Sequence, residues 1–228
     1  MEMPAGSTAG GSASPAALIT LSASYGAGGS EVGPELAQRL GVPFADRAIP
    51  AAVADRMGIS HEEANRRDED VERGLDRILH NLVPMAELYG IGGVDPALLK
   101  ATAHHEAAAE VIRELAATGR GVILGRAAAV VLADDPRALH VRLHGPAARR
   151  IVQAMRLEDV SRETAERRQR ETDRAREAYV RRYYDCNPSD CELYDLVLDS
   201  TRLPLATCVD LIATASTALQ RELADRGA

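Results

Sequence analysis

The sequence predicts a three-layer α/β fold, a five-stranded parallel sheet with helices on both faces. Three observations predict it. Short apolar runs alternate with longer helical stretches along the chain, the pattern of a parallel sheet covered on both sides. The first such run, Leu18–Ser22, passes straight into Tyr25-Gly26-Ala27-Gly28-Gly29-Ser30 and then into a helix. The chain is 46% hydrophobic but only 3% aromatic, so the core is aliphatic, and 228 residues suffice for one such core.

The elements follow in order. Residues 1–16 are rich in Gly, Ser, Ala and Pro and lack the basic-then-apolar order of a secretion signal. They read as a disordered leader ahead of a single domain, 17–228. After the first strand, Val32, Leu36 and Leu40 share one face of a helix over about 31–40. Gly41-Val42-Pro43-Phe44 makes a turn and a short strand. From about 47 to 100 the chain reads as a helical insert of mixed charge, with short helices near Ile49–Met57 and after Ser60, which precedes Glu63 in a cap-like pattern. Thr102–Thr118 is a helix stopped by Gly119, with His104 and His105 expected to face solvent. Gly121–Leu124 reads as a buried strand, Ala127–Leu132 as a helix, and Ala138–Leu143 as the next strand. Gly145-Pro146 opens another helix, and Ser161 to about Tyr184 is long, helical and rich in Arg. Leu193–Asp199 contains the last strand, and Leu205–Ala224 is an amphipathic helix.

Charge and cysteines narrow the class. A formal net charge of −7 gives no global attraction to nucleic acid. No run approaches the roughly 18 apolar residues of a membrane span. Three cysteines without a signal peptide point to a reducing, cytoplasmic setting. Cys186 and Cys191 have no further ligands at a recognised zinc spacing. Lys100 is the single lysine, so almost all positive charge is carried by Arg.

The glycine-rich turn is where chemistry is expected. Glycines permit positive φ and close backbone approach. Successive N–H groups at a helix N-terminus then cradle an anion. The hydroxyl of Ser30 is placed to cap the helix or to hold Mg²⁺. Laid over the full phosphate-loop pattern G-x-x-x-x-G-K-[ST], the first Gly falls on Ala23 and the Lys on Gly29. The loop therefore lacks the lysine that normally reaches the terminal phosphates, and an ordinary strand-to-helix turn is the alternative reading.

This turn, with Leu40-Gly41-Val42-Pro43-Phe44-Ala45-Asp46-Arg47, Val122-Ile123-Leu124-Gly125-Arg126, Asp173-Arg174, Tyr179, Tyr183-Tyr184 and Tyr194-Asp195-Leu196-Val197-Leu198-Asp199, resembles the cytidylate kinase-like family. The matches run in family order from about 18 to about 215. The resemblance implies a three-layer P-loop kinase fold, with a helical lid over about 156–192 and the 47–100 insert as a helical acceptor-binding element. It implies ATP and Mg²⁺ and a nucleoside monophosphate acceptor of the CMP kind; the insert could instead form a dimer surface, so a homodimer is one possible assembly. The family loop also carries Gly-Gly where the full pattern has Gly-Lys. The chain departs from the family in having Ser22-Ala23 where Ser-Arg is common, and Ser30 where Arg often stands. Both changes remove positive charge near the phosphates.

Residue roles follow from the same resemblance. Tyr25, Gly26, Ala27, Gly28, Gly29 and Ser30 would hold the triphosphate, and Ser30 the metal. Arg126 would grip the acceptor's phosphate bidentately, and Asp46, near the acceptor, would contact it or simply start the following helix. On the Arg-rich helix, Arg167, Arg170 and Arg174 share a face. Arg174, then Arg170 and Arg176, are the candidates for stabilising charge in the transition state. The plainer reading is a solvated helix laced by Glu163, Glu166, Glu171 and Glu177. Asp173 would orient Arg174 or help to place the metal, and Tyr179, Tyr183 and Tyr184 would pack the lid on the core. Two further readings stay open: a non-catalytic, regulatory nucleotide-binding protein with a degenerate loop, and an interaction protein that binds no nucleotide.

Overall fold

The structure is a computed structural model and describes residues 17–45, 96–125 and 127–227. Asp46, Arg126, the leader and nearly all of the 47–100 insert lie outside the described residues. Strand β1 (Leu18–Ala23) leads through the glycine-rich turn into helix α1 (Gly29–Leu40). Strand β2 is Phe44–Ala45. Helix α2 (Pro96–Ala117), strand β3 (Gly121–Leu124), helix α3 (Ala128–Val131) and strand β4 (Ala138–His144) follow. Helices α4 (Ala147–Glu158) and α5 (Arg162–Tyr184) make up the Arg-rich region. Strand β5 (Leu196–Asp199) and helix α6 (Leu205–Gly227) close the chain.

The five strands form one parallel sheet in the order β2-β3-β1-β4-β5. Strand β1 lies at its centre, pairing along Leu18–Leu21 with β3 and along Leu18–Ala23 with β4. The chain leaves β1 toward β2 on one side and leaves β4 toward β5 on the other. Adjacent strands that lead away in opposite directions open a crevice at their carboxyl ends, and ligands of such sheets bind there.

The two faces of the sheet differ. On one, Ile19, Leu21, Val141 and Leu143 pack against Val32, Leu36 and Ala37 of α1 and Val209 and Ile212 of α6. The expected helical face is therefore the buried face of α1, which Gly41 ends in the left-handed region at φ 63°. On the other face, Leu18 and Ile123 pack against Ala108, Val111, Ile112 and Ala116 of α2. That apolar cover is partial. Thr20, His140 and Arg142 occupy the alternate positions of β1 and β4 on this face, and Thr20 and His140 are buried.

His140 is satisfied as a neutral ring. Its Nδ1 lies 2.8 Å from Thr20 Oγ1, and the backbone of Leu132 hydrogen-bonds the ring. Burial pushes its pKa below the ordinary 6.5, against the opposing pull of Asp195. A depressed folded-state value means that this contribution to stability is complete above the unfolded value and is lost as pH falls through the folded one. Thermal unfolding should thus shift downward between about pH 7 and about pH 5, and His140→Asn should flatten that dependence. An unchanged slope in the variant would assign the acid sensitivity to other groups.

Candidate active site at the carboxyl ends of the strands

The turn after β1 is held in shape by its carbonyls. Gly26 and Gly28 take φ of 74° and 78°, in the left-handed region. The N–H of Ala27 closes the turn onto the carbonyl of Ser24 at 3.0 Å. The carbonyls of Tyr25, Gly26 and Ala27 each accept a side-chain donor: Arg150 Nη1 at 2.7 Å, Gln153 Nε2 at 3.1 Å and Ser200 Oγ at 2.7 Å. In a trans peptide the C=O and the following N–H point in opposite directions. With the carbonyls drawn into the protein, the N–H groups of Gly26 and Gly28 turn the other way. Among the described residues, the N–H groups of Gly26, Gly28, Gly29 and Ser30 have no acceptor. They form an anion nest at the start of α1, where the helix dipole also favours negative charge.

Helix α1 is capped by Gly28 and not by a side chain, so the Ser30 hydroxyl is not used as the cap. It is exposed and borders the cavity. A nest of this kind fits a polyphosphate. One hydroxyl beside it fits Mg²⁺, which keeps water and phosphate oxygens as most of its ligands. No cluster of three or more His, Cys, Asp or Glu suited to a metal occurs among the described residues.

The nest opens on a cavity of about 680 Å³. Thr20, Ser22, Arg142 and His144 line its floor, and Asp173, Arg176, Tyr179 and Val180 of α5 line its wall. Arg142 donates to the carbonyl of Pro188 and sits 5.5 Å from the centre of the Tyr194 ring. The Tyr194 hydroxyl in turn donates to the Pro188 carbonyl at 2.9 Å, which ties the loop after α5 to the floor.

Helix α5 is anchored to the turn itself. Arg176 Nη1 donates to the carbonyl of Ala23 at 2.6 Å. The N–H of Tyr25 donates to Asp173 Oδ1 at 2.9 Å, and Arg150 and Gln169 donate to Asp173 Oδ2 at 2.8 and 2.9 Å. The Asp173 carboxylate, which the sequence offers as a support for Arg174, as an aid to placing the metal or as one half of a helix-surface ion pair, is bonded to Arg150, Gln169 and the turn. The Tyr25 hydroxyl donates to Glu158, which Arg168 also contacts at 2.6 Å. Burial, then the Glu158 carboxylate, push the Tyr25 phenol up to about 12, so it stays a neutral donor. At the C-terminal end of α5, Tyr183 stacks on His105 of α2 with ring centres 4.2 Å apart, and Tyr179 and Tyr184 meet the same imidazole edge-on. His105 is half-buried in this cluster and does not face solvent as its sequence context suggested.

The predicted residues are thus partly assembled. Tyr25, Gly26, Gly28, Gly29 and Ser30 border the cavity, with Ala27 buried behind them. Arg176 lines the cavity, whereas Arg170 and Arg174 are not among the described residues that do. Arg142, His144 and Arg150 were missed. For Arg142 and His144 a signal existed: a central strand of a doubly covered parallel sheet reads as apolar throughout, yet Ala138–His144 alternates apolar with His, Arg and His.

Gly29, at the position of the absent lysine, is constrained by space. A Cβ there would stand 2.6 Å from the Ala23 methyl and 3.1 Å from Leu124 Cδ1.

The sequence profile of the cytidylate kinase-like family matches residues 18–202, and the chain belongs to that family. No curated relative matches it. Among solved structures, an uncharacterized protein from Eubacterium ventriosum ATCC 27560 is similar, with 19% identity and a TM-score of 0.62 over 89% of this chain and 99% of that one. A gluconokinase from Sinorhizobium meliloti 1021 has 17% identity and a TM-score of 0.50 over 93% of this chain and 98% of its own. At such identities these likenesses speak for the fold alone, a P-loop kinase fold.

Gly26 offers the sharpest test of the nest. A Cβ at that position would lie 2.3 Å from the carbonyl oxygen of Arg150, in a backbone region that costs a side chain about 1–2 kcal/mol. Gly26→Ala should weaken binding of inorganic tripolyphosphate at least about tenfold while far-UV circular dichroism stays near wild type. Undiminished binding would place the anion elsewhere.

Proposed function

We propose that the protein is an ATP-dependent phosphotransferase whose acceptor is a nucleoside monophosphate of the CMP kind. The observation that carries this reading is that the N–H groups of Gly26, Gly28, Gly29 and Ser30, at the carboxyl end of the central strand beside a cavity walled by Arg176, have no acceptor among the described residues. The family membership and the kinase-type fold support it.

The roles follow from electrostatics. The amides of Gly26, Gly28, Gly29 and Ser30 would hold the triphosphate, and the Ser30 hydroxyl would be one ligand of a Mg²⁺ ion. When bound, the metal would neutralise charge that develops during transfer. Arg126 would hold the phosphate of the acceptor, with Asp46 beside it. The loop has no lysine, so another cation must face the transferring group. Arg176 is the foremost of the lid arginines because it reaches the Ala23 carbonyl at the mouth of the nest. Arg170 and Arg174 would contribute to the field of the lid from outside the cavity lining. In this chemistry the protein positions groups and stabilises charge, and closing the lid excludes water.

One observation favours a second reading. The packing of Ala23 against Gly29 leaves no room for a lysine. A non-catalytic nucleotide-binding protein with regulatory function would retain the nest and need no such cation.

Calorimetric titration with ATP·Mg²⁺, followed by ADP release across CMP, dCMP, UMP, AMP and gluconate, separates the readings. Acceptor-dependent release with CMP establishes the proposed kinase, and release only with gluconate replaces the acceptor. Binding without release favours the regulatory reading, and no binding removes both. In an active enzyme, Arg176→Ala should lower kcat by about 10³-fold, the usual worth of an arginine facing a transferring phosphoryl group. Unchanged turnover would exclude it from that role.

A further inference from the structure

We infer that Arg150 is the positioning residue of the phosphate-binding turn: it fixes the Tyr25–Gly26 peptide with its N–H toward the cavity and couples that peptide to the lid helix. The three side chains that hold the turn carbonyls are not equivalent. Gln153 and Ser200 are neutral and give one bond each to the turn. Arg150 is a cation only 7% exposed, and it spans three acceptors: the carbonyls of Gly145 and Tyr25, and Asp173 Oδ2.

These contacts close a ring. The Tyr25 N–H donates to one oxygen of Asp173, the other oxygen accepts from Arg150, and Arg150 donates to the Tyr25 carbonyl. Both polar groups of one turn residue are therefore set by a single ion pair between α4 and α5. A planar guanidinium suits this, because its donors keep fixed angles to one another, whereas an ammonium turns freely. The backbone contributes as well, since the Arg150 carbonyl lies where a Gly26 Cβ would be.

The energetics favour Arg150→Met as the probe. Removing Asp173 would strand a buried charge, which is costly, but removing Arg150 leaves a carboxylate that is 26% exposed and can rehydrate. Arg150→Lys keeps the charge and loses the span. Ile212→Ala, in the core on α6 and making none of the turn's hydrogen bonds, serves as a destabilised control. Two readouts apply: hydrogen exchange of the turn amides, and the affinity of the folded protein for inorganic tripolyphosphate and ATP·Mg²⁺.

Arg150→Met should speed exchange at Tyr25–Gly29 about tenfold or more and weaken tripolyphosphate binding about tenfold. Arg150→Lys should fall between it and wild type, and Ile212→Ala should change neither while lowering the melting temperature. If Arg150→Met fails to fold, the intermediate effect of Arg150→Lys decides. A merely structural role predicts that Arg150→Met behaves as Ile212→Ala in both readouts, and that result overturns the inference. The affinity readout rests on the function proposed above, but the exchange readout does not. A wild type that binds neither tripolyphosphate nor ATP would sink the proposed function, and turn exchange insensitive to Arg150 would still sink the inference.

Discussion

The site depends on the direction in which a few peptide planes face. A strand-to-helix turn can point its carbonyls or its amides at solvent, and only the second arrangement attracts an anion. Here side chains from elsewhere in the chain, Arg150, Gln153 and Ser200, draw in the carbonyls of Tyr25, Gly26 and Ala27. The amides are left facing the crevice between β1 and β4. Glycine at 26 and 28 makes the twist affordable to the backbone, since both sit at positive φ. The nest is thus a tertiary product. The glycines permit it, and residues more than a hundred positions away impose it.

Helix α5 shares this foundation. It meets the turn through Asp173 and Arg176 near its middle and meets α2 through the tyrosine cluster around His105 at its C-terminal end. Between these anchors it lies over the polar stripe of Thr20, Ser22, Arg142 and His144. That stripe interrupts the apolar cover of the sheet on one face. The opposite face has no such break, and its packing of α1 and α6 against the strands supplies the rigid support on which the turn stands.

Much of this architecture was legible in the residues. Alternation of apolar runs with helices gave the sheet, and the positions of Gly41 and Gly119 gave two helix ends, both in the left-handed region. The turn was legible as a site because several glycines follow a strand directly. What linear sequence did not carry was partnership. Nothing near Arg150 announces that its side chain would bond Tyr25, and nothing near Asp173 says that its partner would be Arg150 instead of its neighbour Arg174. His105 likewise read as solvent-facing, because the tyrosines that enclose it are about seventy residues downstream. Long-range contacts of this kind depend on which faces the sheet order brings together, and that order was not readable from periodicity. The signal that was present and passed over lay in β4, whose charged alternate positions do not suit a strand buried on both sides.

The contact between Ala23 and Gly29 bears on the history of the loop. The two positions share a volume that admits one Cβ: a side chain at 29 needs glycine at 23, and any side chain at 23 needs glycine at 29. A lysine at 29 therefore calls for a second change, to glycine, at 23. Either single step gives an overfilled or a doubly empty intermediate.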